Sequence, residues 1–190
     1  MRVSAPEPGL QLESSASDIV EIAALRGRAQ DVARIALGRG VQLPTRGRAL
    51  VAPDHVALCV RPERWLILTP PGSSAASAAA WQAACAGVGA VLDLSSALSA
   101  LELSGPDMRA LLVRSCRIDL DARAFPQGAA CATIVAQVAV IIVALASGLL
   151  LLTPATTSRH FHEWLATASK PPGLEPRSPR HEAAAAGDQL

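Results

Sequence analysis

The sequence predicts an α+β fold in which a βαββα unit is written twice, forming a mixed sheet with helices packed against it. Three observations predict it. An apolar strand-turn-strand pattern occurs twice at a constant offset, each copy runs into a helix carrying a Trp, and each follows a strand and an amphipathic helix.

The two hairpins carry the repeat. VALCVRPERWLILTP, residues 56–70, reads without a gap onto VIIVALASGLLLLTP, residues 140–154, an offset of 84 residues. Val56 meets Val140, Leu66 meets Leu150, and Leu68-Thr69-Pro70 meets Leu152-Thr153-Pro154. Turns fall at Arg61-Pro62-Glu63-Arg64 and Ala146-Ser147-Gly148, where Pro, Ser and Gly supply turn chemistry. β-branched residues suit the strands, and Pro70 and Pro154 end them because Pro has no amide proton for a ladder. Ser73 and Ser74 after the first hairpin, and Thr156, Thr157 and Ser158 after the second, are predicted N-caps for the helices of Trp81 and Trp164.

Upstream, residues 18–25 alternate as a strand, and residues 28–37 place Ala29, Val32, Ala33, Ala36 and Leu37 on one helical face. The matching pair in the second half is a strand at 99–103 and a helix at 106–115, with Pro106 in the first turn and Met108, Leu111 and Leu112 facing inward. The folded part is therefore residues 17–169, as pseudo-repeats of about 17–90 and 91–169. Residues 1–16 and 170–190 are expected to be disordered, because Pro recurs and large apolar residues are few.

Composition narrows the function classes. The net charge is +1, with no Tyr, two Phe and three Trp, so there is neither a basic stripe nor a stacking platform for nucleic acid. Arg26, Arg28, Arg34, Arg39, Arg46 and Arg48 are a loose group read as solvated helix surroundings. Cys59, Cys85, Cys116 and Cys131 lack metal-ligand spacing and sit among apolar residues. With no apolar stretch at the N-terminus to act as a signal, reduced thiols in the cytoplasm are expected.

The rival reading is a single-pass membrane protein. Residues 131–152 form a run of about 22 residues without charge, long enough to span a bilayer as a helix. Three features oppose it: β-branched residues dominate 133–143, Ser147-Gly148 interrupts the run, and the repeat partner carries Asp54, Arg61, Glu63 and Arg64. As strands, the run is apolar on both faces, with Ile134, Val138, Val140 and Ile142 on one and Val135, Ile141 and Val143 on the other. Helices of the chain can cover one face; the other requires the second half of the molecule or another chain, a hint of an obligate partner.

No catalytic, cofactor-binding or metal-binding residue is predicted. His160 and His162 lie two apart on a helix and point away from each other, and His160 with Glu163 gives too few ligands for an ion. Asp93, Glu102, Asp107, Asp119 and Asp121 make no acid/base pair, and Ser95 and Ser96 lack a nucleophile elbow. Cys116 reads as a structural thiol, and the sole lysine, Lys170, lies in the tail. No phosphate-binding glycine motif is present.

The stretch at 101–145 resembles the gamma subunit of heterotetrameric sarcosine oxidase. The resembling features are Leu103-Ser104-Gly105-Pro106-Asp107 at a strand-to-helix turn, Cys116-Arg117-Ile118-Asp119-Leu120, and Arg123-Ala124-Phe125-Pro126-Gln127-Gly128. The final strand pair, the Trp164 helix and the upstream Pro62-Glu63-Arg64-Trp65-Leu66 extend it over residues 17–168. The resemblance implies a fold related to the folate-binding domain of the glycine-cleavage T-protein. It also implies a cytoplasmic complex of alpha, beta, gamma and delta chains, with this chain packed chiefly on alpha. FAD, FMN, NAD, tetrahydrofolate and zinc would then sit on the partner chains and none here. Residues 123–159 carry fewer charges than the family pattern, which leaves room for the corresponding chain of an N-methylglutamate dehydrogenase. An independent folate-binding module is the other alternative, against which Cys116-Arg117 and Cys131-Ala132 lack a Gly-rich signature.

Overall fold

A computed structural model describes residues 10–72 and 74–169. Ten strands and four helices occur among them: β1 (Gln11–Ser15), β2 (Asp18–Ala24), α1 (Ala29–Gly38), β3 (Arg48–Val51), β4 (Val56–Arg61), β5 (Arg64–Thr69), α2 (Ser74–Ala84), β6 (Gly89–Asp93), β7 (Leu98–Ser104), α3 (Met108–Val113), β8 (Ala130–Val135), β9 (Val138–Ala144), β10 (Leu149–Pro154) and α4 (Ala155–Ala168). They form two five-stranded sheets, ordered β3-β4-β5-β2-β6 and β8-β9-β10-β7-β1. Every strand pair is antiparallel, so the expected mixed sheet is two antiparallel ones.

The duplication is complete once strands, rather than hairpins alone, are matched. Each copy is ββαβββα, and position by position the two sheets have the same order. Each copy also lends its first strand to the other. β1, at the head of the first copy, pairs with β7, and β6, at the head of the second, pairs with β2. The second copy thus begins at Gly89, and the expected repeat boundary at 90/91 falls inside β6. The exchange corrects the N-terminal expectation as well, since Gln11–Ser15 is a strand and not disorder. Its polar sequence, QLESS, hides that role: its ladder comes from β7, beyond the reach of local patterning. Residues 1–9 and 170–190, and the capping expectation at Ser73, lie outside the described residues.

The layers follow from alternation along the strands. In β5, Trp65 and Ile67 pack with Val32 and Ala36 of α1 and Trp81 and Cys85 of α2, whereas Leu66 and Leu68 face the other sheet. In β9 and β10, Val140, Ile142, Leu149 and Leu151 pack with Leu112 of α3 and Phe161 and Leu165 of α4, whereas Val143, Leu150 and Leu152 face the first sheet. The order is helices, sheet, sheet, helices. The apolar second face that seemed to ask for a partner is therefore covered by the other half of the same chain. No helix among the described residues is long and apolar enough to cross a membrane.

The uncharged run is three strands, not one hairpin. β8 turns into β9 through Ala136 and Gln137, both at positive φ (48° and 68°), with Val135 opposite Val138. Two-residue turns of this kind favour Asn-Gly, so Ala-Gln gives no turn signal in the sequence. The turn also changes the faces. Val135 joins Val138, Val140 and Ile142 on the helix side, and Ile134 moves to the other side, where it is half exposed. The double substitution Ala136→Asn with Gln137→Gly relieves two left-handed residues. It should raise the unfolding free energy by about 1–2 kcal/mol, read from denaturant midpoints at unchanged slope.

Helix ends differ from expectation: α3 is Met108–Val113, shorter than the expected 106–115, with Pro106 ahead of it, and α4 has no hydroxyl cap. β10 runs directly into α4 at Pro154, and Thr157 and Ser158 lie within the first turn, their hydroxyls donating back to the carbonyls of Pro154 and Ala155. They satisfy local acceptors and do not cap the helix. The arginine group is partly engaged: Arg28 and Arg34 pair with Asp31, and the Arg39 guanidinium lies 4.6 Å from the ring centre of Trp81.

Candidate functional site: a cleft between the sheets

The two sheets are closest at β3, β4 and β8. Arg48 and Ala129 form a bridge there, the Ala49 amide donates to Gly128, and the Ala130 amide donates to Gly47. Toward the β8–β9 turn the contact opens, and a cleft of about 280 Å³ enters between the sheets. Val60 and Leu66 line one wall, and Ala132, Ala139 and Ile141 the other; Leu94, Leu98, Leu152 and Pro154 complete it. Leu66 and Leu152 belong to the buried intersheet core, so the cleft is the open continuation of that core.

Its charged groups come from the β4–β5 hairpin and β2. Arg64 Nη1 lies 2.8 Å from Glu21 Oε1, with the Glu21 side chain 16% exposed. A carboxylate at that depth in an aliphatic wall requires a cation, and Arg64 provides it. Arg61 is exposed and makes no ion pair among the described residues. Backbone irregularities fix this corner. The register of β4 against β5 shifts between Leu58 and Arg61, where the Cys59 thiol donates to the Arg61 carbonyl at 3.0 Å. At the turn, Glu63 has φ of 57° and its carbonyl accepts from the Ala24 amide at 2.9 Å. A bulge re-aims the side chains that follow it, and here it precedes the two arginines.

The residues weighed for chemistry from sequence have structural surroundings. The Ser95 hydroxyl donates to Asp93 at 2.7 Å and accepts from the Ile19 amide at 2.9 Å, tying the end of β6 to β2. The Ser95 hydroxyl, then its amide, hold the Asp93 carboxyl below the usual carboxylate range. Asp121 accepts from the Arg123 amide and side chain, which lower it likewise. Asp119 accepts from the Asp121 amide. Burial pushes the thiols of Cys59, Cys85 and Cys131 up, away from the thiolate a nucleophile needs. Cys116 is half buried beside Thr133. In α4, His160 is exposed and His162 half buried; among the described residues no group of three or more His, Cys, Asp or Glu is placed to hold a metal. The pairing of Glu21 with Arg64 escaped the sequence reading because it spans 43 residues, and the signal for it, an acidic residue in an apolar strand, is weak by itself.

Comparison with known proteins now decides the family. Residues 26–170 match the family described as sarcosine oxidase, gamma subunit. This chain belongs to the sarcosine oxidase gamma subunit family. Sarcosine oxidase subunit gamma of an Arthrobacter species is 38% identical over 108 residues, covering 56% of this chain and 52% of that protein. The chain thus spans about half the length of the curated relative it matches. Among solved structures, the heterotetrameric sarcosine oxidase of Corynebacterium sp. U-96, in complex with pyrrole 2-carboxylate, contains a chain that superposes with a TM-score of 0.76 at 26% identity. The match covers 86% of this chain and 85% of that one. The glycine cleavage aminomethyltransferase T of Bartonella henselae superposes with a TM-score of 0.62 at 15% identity, over 83% of this chain and 45% of that one. At that identity the likeness shows the fold alone. It agrees with the T-protein-like fold that the family resemblance implies, as membership agrees with the resemblance at 101–145.

Proposed function

We propose that this chain is the gamma subunit of a heterotetrameric sarcosine oxidase-type complex and contributes assembly, not chemistry. The observation that carries the reading is the family match over residues 26–170, joined to the superposition on a chain of a heterotetrameric sarcosine oxidase. The complex would oxidatively demethylate sarcosine to glycine, yielding formaldehyde or methylenetetrahydrofolate and hydrogen peroxide. Its alpha, beta and delta chains would be the partners, alpha chief among them, in the cytoplasm. FAD, FMN, NAD, tetrahydrofolate and zinc would reside on those chains. The absence of a phosphate-binding glycine motif from the sequence and the structural surroundings of Ser95, Asp93 and Asp121 support an accessory role.

Co-expression with an alpha-type chain of such a complex tests this. The two should co-purify in equal amounts through gel filtration, with no flavin absorbance on the isolated gamma chain. Stoichiometric flavin on the isolated chain, or failure to associate, contradicts the reading.

A further inference from the structure

The intersheet cleft joins a largely aliphatic lining to a cationic edge. We propose that it is a binding site for a small amphiphilic monoanion, of the class of medium-chain carboxylates, whose tail enters between the sheets while Arg61 holds the head. The inference goes beyond the assignment to a complex and does not depend on it.

The tail's environment is mainly aliphatic, with Thr133 the neutral polar side chain in its lining. Val60, Leu66, Ala139, Ile141 and Leu152 line the space, no aromatic ring does, and about 280 Å³ is close to the lower bound of small-molecule pockets, roughly 300 Å³. The small side chains of Ala132 and Ala139 keep the second wall low, where larger residues would close it. The cleft therefore accepts a flexible, unbranched apolar chain of modest length.

The net charge at its edge is positive, from Arg61 and Arg64 against Glu21. Glu21 neutralises Arg64 at 2.8 Å, which leaves Arg61 with the surplus positive charge. A guanidinium presents parallel N–H donors that match a carboxylate with two hydrogen bonds. The backbone that carries it is held in place: the register shift ends at Arg61, the Cys59 thiol donates to its carbonyl, and Arg61 pairs with Arg64 across a tight turn. Such irregularities cost stability and persist where a side chain must be aimed.

Titration calorimetry on the full-length chain tests the proposal with hexanoate, octanoate and decanoate. Octan-1-ol serves as the tail without the charge, and inorganic phosphate as the charge without the tail. Saturable 1:1 binding of octanoate is expected, tightening about fourfold per methylene up to the length the cleft holds. Octan-1-ol and phosphate should each bind at least about tenfold more weakly. Arg61→Ala, at an exposed position, should weaken octanoate about tenfold to a hundredfold. Ala139→Trp, on an exposed wall position, should abolish binding with the circular dichroism spectrum and Tm unchanged; Ala132→Phe is the second blocking variant. Absence of saturable octanoate binding overturns the proposal. So does equal binding of octan-1-ol or phosphate, or octanoate affinity indifferent to both Arg61→Ala and the blocking variants.

Discussion

Gly148→Ala will lower the unfolding free energy by about 3 kcal/mol, although it adds a single methyl group. Gly148 closes the loop between β9 and β10, whose first residue, Leu149, pairs with Leu103 of β7. A β-carbon on Gly148 would stand 2.3 Å from the Leu103 carbonyl oxygen and 3.2 Å from both the Leu103 carbonyl carbon and Ser104 Cα. All three are backbone atoms. Leu103 is fully buried in a strand paired on both sides, so neither it nor the loop can yield without breaking ladder hydrogen bonds. Gly38→Ala, at the end of α1 with nothing within 4 Å of the added carbon, is the control and should be neutral or slightly stabilising. Urea midpoints of the two variants make the comparison. A Gly148→Ala chain as stable as the parent would mean that β10 does not approach β7 as described.

Val143→Asp should be the more damaging, at about 5 kcal/mol, enough to unfold a domain of ordinary stability. Val143 is fully buried in the intersheet layer, opposite Leu150 of β10 and Ala130 of β8. Among the described residues no buried side chain is cationic, so the carboxylate would be desolvated without compensation. Ile134→Asp, in the same uncharged run, should change stability by no more than about 0.5 kcal/mol, because Ile134 is 50% exposed. The contrast is diagnostic. In a membrane-spanning helix both substitutions would be penalised; in the folded sheet pair only the one between the sheets is.

Sequence reading reached the strands whose burial is written in their own residues. Both faces of β5, of β10 and of β9 beyond the cleft are covered, which gives the near-continuous apolar runs that mark the repeat. What it missed was made by distant pairing. β1 is polar and β3 short, with Arg48 and Leu50 exposed, and β6 exposes Leu92; these edge strands depend on neighbours far along the chain. The turn at Ala136-Gln137 was invisible because its residues are poor at positive φ, and the sheet pairing imposes the conformation on them. That one omission also placed Ile134 on the wrong face. The cleft was legible only in pieces: Arg61 and Arg64 were read as turn residues, whereas the bulge that aims them and the Glu21 carboxylate that anchors Arg64 appear only once β2 lies beside β5. The family signature, by contrast, was local and complete enough to be read from residues 101–145.

The central claim is that residues 130–154 fold as three antiparallel strands, of which β10 and most of β9 are covered by protein on both faces. Cross-strand Hα–Hα and amide NOEs on the isotopically labelled 19.6 kDa chain test it directly. The account predicts contacts joining Thr133 to Val140, Ala130 to Val143, and Leu151 to both Ile142 and Leu101. Sequential amide contacts with i to i+3 connectivities running unbroken through residues 136–148 would show a continuous helix and contradict it.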